Sequence, residues 1–479
     1  MPMKKADPNP NANRNIMIIT YVILGIFVAM IGYFGYFLQV ESENVINNSY
    51  NARLDSFADR IVRGSILSSD GQVLAATEVA EDGTETRVYP FANTFAHVVG
   101  HSTKGKTGLE SQANFYLLSS HANLVQQVIN EISNRKNPGD NLVTTLDAAL
   151  QQTAYEALGD RRGAVVALEP DTGKILAMVS KPDYDPNPAS LDASWESLVS
   201  ADNTQGQLLN RASQGLYPPG SVFKIVTALE AIEENPEHYL DYQFDCSGIL
   251  YVDDYSIRCY HSTAHGSQNL AQAFANSCNG AFANLGLSLN LDKMHALAGR
   301  LLFNSSLPLP MEYSKSTYNM DGSADEWEIL QTSIGQGTTQ VTPMHIAMIT
   351  SAIANGGTLM KPYLMDQVQN VAGEEVKKFL PEAYGSLMTA EEAEKLNDLM
   401  TLVVTEGTGS ALRDASYQAA GKTGSAEFET GKETHAWFTG YAPAEDPQIV
   451  VTVIVEEGGS GGSAAAPVAR KLFDQYLLP

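Results

Sequence analysis

The longest apolar run in the chain comes first. Residues 16–38 (IMIITYVILGIFVAMIGYFGYFL) hold 23 positions without a charge, and a bilayer core takes about 20 apolar residues in a helix. A cleaved signal peptide would carry an apolar stretch of only about 7–15 residues and then a small-residue cleavage site. Here QVESENVINN comes next, with no Ala-x-Ala. The pattern predicts an uncleaved membrane anchor. Residues 39–62 are polar and helix-compatible, and read as a stalk.

Beyond the stalk the periods shorten. RGSILSSDGQVLAAT predicts a hairpin turning at Asp70-Gly71. FAHVV is strand-like, and HANLVQQVINEISNRK has a helical period that stops at Asn137-Pro138-Gly139. GAVVALEP and KILAMVSKP are strands around the turn DTG. A long helical stretch is expected from Ser221 to about Leu402. GKTGSAEF, THAWFTGYAP and QIVVTVIVEE then predict an antiparallel meander, and APVARKLFDQYLL an amphipathic helix. EEGGSGGSAAAP reads as a loop. Strands at both ends with helices between imply an α+β fold, one antiparallel sheet covered by helices. The organisation expected is a tail (1–15), an anchor (16–38), a small α+β pedestal (39–150) and a main domain (151–479).

Charge sets the topology. Lys4, Lys5 and Arg14 precede the anchor against Asp7 alone, and Glu41 and Glu43 lie just after it. The positive-inside rule then leaves the N-terminus in the cytoplasm and the bulk outside. A net charge of -25 argues against nucleic acid as a partner. Hydrophobic content of 44% against 18% charged suits a globular core.

The cysteines are Cys246, Cys259 and Cys278. Cys246 and Cys259 flank a short loop, and an oxidising location permits them to pair or to stay free. A metal site is not expected, because no Cys-x-x-Cys exists and His261 and His265 are isolated. No cofactor is expected either. GHSTKGKT at 100–107 fits a phosphate-binding loop, but outside the cell nucleotide is scarce, and the chain beyond it has no strand ending in a magnesium-binding Asp. It reads as a polar loop.

Three short motifs carry the chemistry. Pro-Pro-Gly before Ser221 breaks structure, and VFKIVTALEA after it favours a helix, so Ser221 sits at the helix N-terminus with Lys224 one turn on. A serine hydroxyl is a weak nucleophile without a base beside it. Burial and the positive helix end both lower a lysine's pKa, so Lys224 suits the task, and free N–H groups there suit an oxyanion. The bland reading is a serine cap and a snorkelling lysine. Ser277 and Asn279 flank Cys278 after the helical LAQAFA. Ser277 is placed to relay a proton and Asn279 to hold an amide, where a polar helix end is the alternative. Lys422, Thr423, Gly424 and Ser425 open a strand. Lys422 attracts a carboxylate, Gly424 admits a close backbone, and the Ser425 N–H offers a second oxyanion donor. An edge-strand charge is the alternative. Each motif alone is weak: Ser133 and Lys136 repeat the first spacing, and Lys106-Thr107-Gly108 repeats the last.

Together with LLNRASQGLYPPGSVFK, HGSQNLAQAFANSCNGAF, IGQGTTQVTPMHIAMITSAIANGG, VVTEGTGSALRDASYQAAGKTGSAEF, AWFTGYAP and AAAPVARKLF, the chain resembles a class B penicillin-binding protein over nearly its whole length. RGSILSSDGQVLA resembles the start of that family's pedestal. The resemblance implies a D,D-transpeptidase of bacterial cell-wall synthesis. Ser221 would be acylated by the D-Ala-D-Ala end of a peptidoglycan stem peptide, or by a β-lactam. Lys224 would be the general base, Ser277 the relay and Asn279 the amide holder. Lys422, Thr423 and Ser425 would recognise the terminal carboxylate. Backbone N–H groups of Ser221 and Ser425 would form the oxyanion hole. No second catalytic domain lies between anchor and pedestal, which implies the monofunctional type with a separate SEDS-type glycan polymerase in the membrane as partner. A β-lactamase or β-lactam receptor of the same fold, and an idle scaffold for a polymerase, are the rival readings.

Overall fold

The computed structural model describes residues 10–37, 59–133 and 135–478. The stalk expected at residues 39–62 lies almost wholly outside them. Helix Pro10–Tyr36 is, among the described residues, the one long and apolar enough to cross a membrane. Leu38, the last position of the expected anchor, is outside the described residues.

The centre of the molecule is a five-stranded antiparallel sheet. Its order is Ala420–Ala426, His435–Ala442, Ile449–Val455, Gly163–Leu168 and Ile175–Lys181. Every residue of the four inner and far strands is buried, because helices cover both faces. Side chains alternate between them. Ala164, Val166 and Leu168 join the core that holds helix Pro343–Ala354. Val165 and Ala167 join the core that holds helices Ala148–Leu158 and Ala466–Leu477. The strand-turn-strand at 163–181, the C-terminal meander and the last helix all stand where the periodicity put them.

Three expectations need correcting. Residues 221–402 are not uniformly helical. Short strands Gln243–Cys246, Ile249–Val252, Tyr255–Arg258 and Gly266–Asn269 interrupt them, and so do Thr358–Met360, Met365–Gln369, Glu375–Lys378 and Ala383–Ser386. FAHVV is not a strand: it closes a helical turn, Ala92–Phe95, and forms helix Ala96–Val99. A run of apolar residues that short does not distinguish helix from strand by its period. Without a strand before it, 100–107 lacks the frame of a phosphate loop. Finally, helix Leu124–Ile132 ends sooner than expected, and Asn137–Pro138 pairs as a strand with Ile61–Val62.

The expected hairpin at Asp70-Gly71 is present, with Ile66–Leu67 pairing antiparallel to Val73–Val79. It belongs to a six-stranded sheet to which the main domain also contributes. Met365–Gln369 pairs with Asn141–Thr144 in the register Val368 to Leu142, and Glu375–Lys378 extends the edge. The backbone hydrogen bonds therefore cross position 150.

Candidate active site

Ser221 lies in a single tight turn, Gly220–Phe223, that runs directly into helix Lys224–Glu234. Gly220 has φ +53, and a Cβ there would meet the Ser425 carbonyl oxygen at 2.8 Å. Only glycine lets the turn press so closely on the strand Ala420–Ala426. The Trp437 indole donates to the Pro218 carbonyl (3.1 Å), and the Gly220 N–H donates to the Gly335 carbonyl (2.8 Å). The turn that carries Ser221 is thus tied on two sides.

Lys224 points inward from the first turn of the helix and is fully buried. Its Nζ donates to the Ser277 carbonyl (2.7 Å) and to Asn279 Oδ1 (2.7 Å), with Ser277 Oγ at 3.4 Å. Burial pulls its pKa down to about 8, while Cys278 and Cys259 nearby oppose that shift. Ser221 Oγ makes no hydrogen bond to the described residues, and the Lys224 amine is turned to Ser277 and Asn279 instead. Contacts between a base and a nucleophile often tighten only once substrate is bound.

Ser277 sits in the turn between helices Leu270–Ala275 and Asn279–Ser288. Its φ is +55, a left-handed conformation that costs a non-glycine residue about 1–3 kcal/mol. From there its hydroxyl accepts from Lys422 Nζ at 2.9 Å. Lys422 also donates to the Thr423 carbonyl (3.0 Å) and is fully buried. Burial, reinforced by Lys224, holds its pKa well below the ordinary lysine value. Asn279 is held at both ends of its amide: Oδ1 accepts from Lys224 Nζ, and Nδ2 donates one N–H to the Arg258 carbonyl (2.9 Å).

Thr423, Gly424 and Ser425 line the opposite wall. Ala420–Ala426 is the sheet's edge strand, open on one side to a cleft of about 740 Å³. Ser221, Ser277, Asn279, Thr423, Gly424 and Ser425 all line that cleft, and the two lysines lie beneath it. A Cβ at Gly424 would come within 3.2 Å of Val222. The structure brings every expected site residue to one place. It also adds Thr408, whose hydroxyl bonds that of Thr423 at 2.6 Å while its N–H donates to the Ala275 carbonyl. The stretch VVTEGTGSALRD carried the family resemblance without singling Thr408 out. Its neighbour Gly407 approaches Ala275 too closely for any Cβ, at 2.1 Å, and is the local signal of a packed crossing.

Next to Asn279 lies a second group. Cys246, Cys259 and Cys278 converge with His265, and His261 stays outside. All three cysteines are free thiols, so Cys246 and Cys259 are not a disulfide.

Residues 163–474 match the family described as penicillin binding protein transpeptidase domain. Residues 63–142 match the penicillin binding protein A dimerisation domain. The chain is 36% identical over 420 residues to a peptidoglycan D,D-transpeptidase PbpA of Mycolicibacterium smegmatis, covering 82% of this chain and 83% of that one. It is 31% identical to a peptidoglycan D,D-transpeptidase MrdA of Acinetobacter baumannii, covering 82% and 66%. Among solved structures, penicillin-binding protein A of M. tuberculosis as a ceftriaxone acyl-enzyme superposes with TM-score 0.79 at 31% identity, over 88% of this chain and all of that one. The D,D-transpeptidase domain from Eggerthella lenta gives 0.78 at 33%, over 87% and 98%. Fold, motif order and the serine-lysine site agree with these matches: the chain belongs to the penicillin-binding protein family, in its class B transpeptidase branch, and is a serine acyl-transfer enzyme.

Proposed function

We propose that the chain is a peptidoglycan D,D-transpeptidase in which Ser221 is the acylated residue. One observation carries this reading. A fully buried lysine with its pKa drawn down to about 8 stands one turn from a cleft-lining serine. At neutral pH a usable fraction of Lys224 is already the free amine, which a general base requires.

Ser221 Oγ attacks the carbonyl between the two D-alanines of a stem peptide and passes its proton to Lys224. The N–H of Ser221 lies in the first turn of a helix, where no carbonyl of the helix reaches it. With the Ser425 N–H it receives the developing oxyanion. Lys422 carries a cost until an anion arrives, since its charge is buried beside Lys224. A terminal carboxylate at Thr423 and Ser425 supplies that anion. Ser277, bonded to Lys422 and within reach of Lys224, carries the proton to the departing D-alanine. The acceptor amine of a second stem peptide then releases the acyl group and makes the cross-link. A β-lactam enters by the same attack. One N–H of the Asn279 amide stays on the Arg258 carbonyl, and the other is left to meet a substrate amide.

The N-terminal helix anchors the chain, with residues 1–15 in the cytoplasm and the cleft outside, supported by Lys4, Lys5 and Arg14. A membrane glycan polymerase of SEDS type is the proposed partner, contacted through the anchor and pedestal. The pedestal spans 39–150 and the catalytic domain 151–479, with the 365–378 hairpin lent back to the pedestal.

The test is intact mass of the full chain in detergent after incubation with penicillin, beside Ser221→Ala. A stable one-drug adduct absent from the variant supports the transpeptidase. A transient adduct with drug consumed points to a β-lactamase. No adduct leaves the scaffold.

A further inference from the structure

The thiol cluster has the dimensions of a coordination shell. Cys246 closes the strand Gln243–Cys246, Cys259 comes directly after Tyr255–Arg258, His265 precedes Gly266–Asn269, and Cys278 caps helix Asn279–Ser288. Those short strands, which the periodicity of the chain does not announce, carry them together. Their ligand atoms all lie within 4.8 Å of one another. The sulfurs of Cys246 and Cys259 are 3.7 Å apart, those of Cys259 and Cys278 3.7 Å, and Cys246 Sγ is 3.4 Å from His265 Nδ1.

These spacings discriminate. A disulfide needs sulfurs about 2.05 Å apart. A tetrahedral zinc with bonds of about 2.3 Å to sulfur and 2.0–2.1 Å to nitrogen sets edges of about 3.8 Å between sulfurs and about 3.5 Å from sulfur to nitrogen. The three edges given above match the second geometry, and the other three stay within 4.8 Å. The backbone is arranged for thiolates as well. The Gly248 N–H donates to Cys246 Sγ and the Ala281 N–H to Cys278 Sγ, each at 3.4 Å. Gly248 has φ +96, and a Cβ there would strike the Ser262 carbonyl at 2.3 Å, so the knuckle after Cys246 demands glycine. The three cysteines are buried, and three thiolates in contact without a cation would repel one another. Three soft sulfurs and one imidazole select zinc over the hard cations that oxygen ligands hold.

We propose that Cys246, Cys259, His265 and Cys278 bind a zinc ion in a closed structural site that fixes the Ser277–Asn279 turn. Four protein ligands leave no open position, so the ion takes no part in acyl transfer. Its effect reaches the chemistry through Cys278. That residue stands between the proton relay and the amide holder, in a turn whose left-handed Ser277 has to be held by its surroundings. Zinc binding stands on geometry alone; the positioning role rests on the function proposed for Ser277 and Asn279.

The experiment is elemental analysis of the full chain purified in detergent without added metal. Wild type and Ser221→Ala are expected to hold about one zinc per chain, and a Cys246→Ser, Cys259→Ser pair close to none. Ser221→Ala separates this from the acylation reading, since it keeps zinc while losing the adduct. Stripping wild type with a strong chelator is expected to slow acylation by a fluorescent penicillin about tenfold or more, with recovery on adding zinc. Because the double variant risks misfolding, cobalt replacement in wild type gives an independent reading: sulfur-to-cobalt charge-transfer absorption in the near ultraviolet. A metal-free wild type that also shows no cobalt–sulfur band, or a Cys246–Cys259 disulfide found by alkylation and mass analysis, overturns the proposal. Zinc present without any change in acylation on its removal overturns the positioning role.

Discussion

Two buried charge clusters in this molecule are built on opposite principles. In the pedestal, Glu110 is fully buried between two arginines. Arg63 Nε donates to Oε2 and Arg87 Nε to Oε1, both at 2.7 Å, and Tyr89 adds a third bond at 3.1 Å. The arginines outweigh burial and hold its pKa down at about 2. Under the cleft, Lys224 and Lys422 are equally buried, yet among the described residues no carboxylate meets either amine. Carbonyl, amide and hydroxyl oxygens are their hydrogen-bond partners, and both pKa values fall. The first arrangement locks a charge in place. The second keeps a charge provisional, which is what the proposed base and the proposed carboxylate site both need.

The largest effect tests the catalytic side. Lys224→Met removes the proposed base but keeps much of the volume. The acylation rate is expected to drop by about 10²–10⁴, with the thermal midpoint unchanged or higher, because an unpaired buried charge is gone. A clear fall in stability would mean Lys224 is held as a structural cation, and the contrast would collapse. Next comes Glu110→Gln, which leaves two arginines without their anion. Denaturant titration is expected to show a loss of about 3–5 kcal/mol, while acylation of the folded fraction keeps its rate.

pH separates the two by window: both make stability rise with pH, Glu110 by gaining a favourable charge at low pH and Lys224 by losing an unfavourable one at high pH. The Glu110 carboxyl titrates lower in the fold than in the open chain, so its contribution is complete above about pH 4.5 and disappears as pH falls toward 2. Stability measured across that window should fall less steeply in Glu110→Gln. Lys224 also titrates lower in the fold, but as a base, so its unfavourable term is full below about pH 8 and fades toward 10.5. The acylation rate should climb through about pH 8, where free amine accumulates. A rate flat from pH 6 to 10 would remove Lys224 as the base. The smallest effect is Thr408→Val, which strips one hydroxyl from Thr423. Loss of that bond is expected to lower kcat/KM by about tenfold at most, near 1 kcal/mol, and chiefly through KM.

The sequence was most readable where neighbours in the chain are neighbours in space. Gly163–Leu168 and Ile175–Lys181 meet across a short turn, and their apolar runs said so. Ser221 and Lys224 share a helical turn. The features that stayed hidden depend on distant partners. Nothing in residues 365–378 tells that they pair with Asn141–Thr144, because register between remote strands leaves no local mark. The four zinc-spaced residues are separated by 13, 6 and 13 positions, outside any short ligand motif. Only the folding of weakly patterned strands between them brings them within reach. Asn279 was legible as a site residue, but not its bond to the Arg258 carbonyl, which a backbone from another element supplies.

The hairpin of Met365–Gln369 and Glu375–Lys378 also has a mechanical meaning. It continues from helix Pro343–Ala354, which runs beneath the catalytic sheet, and ends as the outer strands of the pedestal sheet. The joint between the two bodies is therefore sewn through the fabric of one of them. A tug on the pedestal loads several ladder bonds in parallel, and they must yield together. The cleft then rides on its base like a blade on a fixed handle, so a turn of the base re-aims the cleft as a whole.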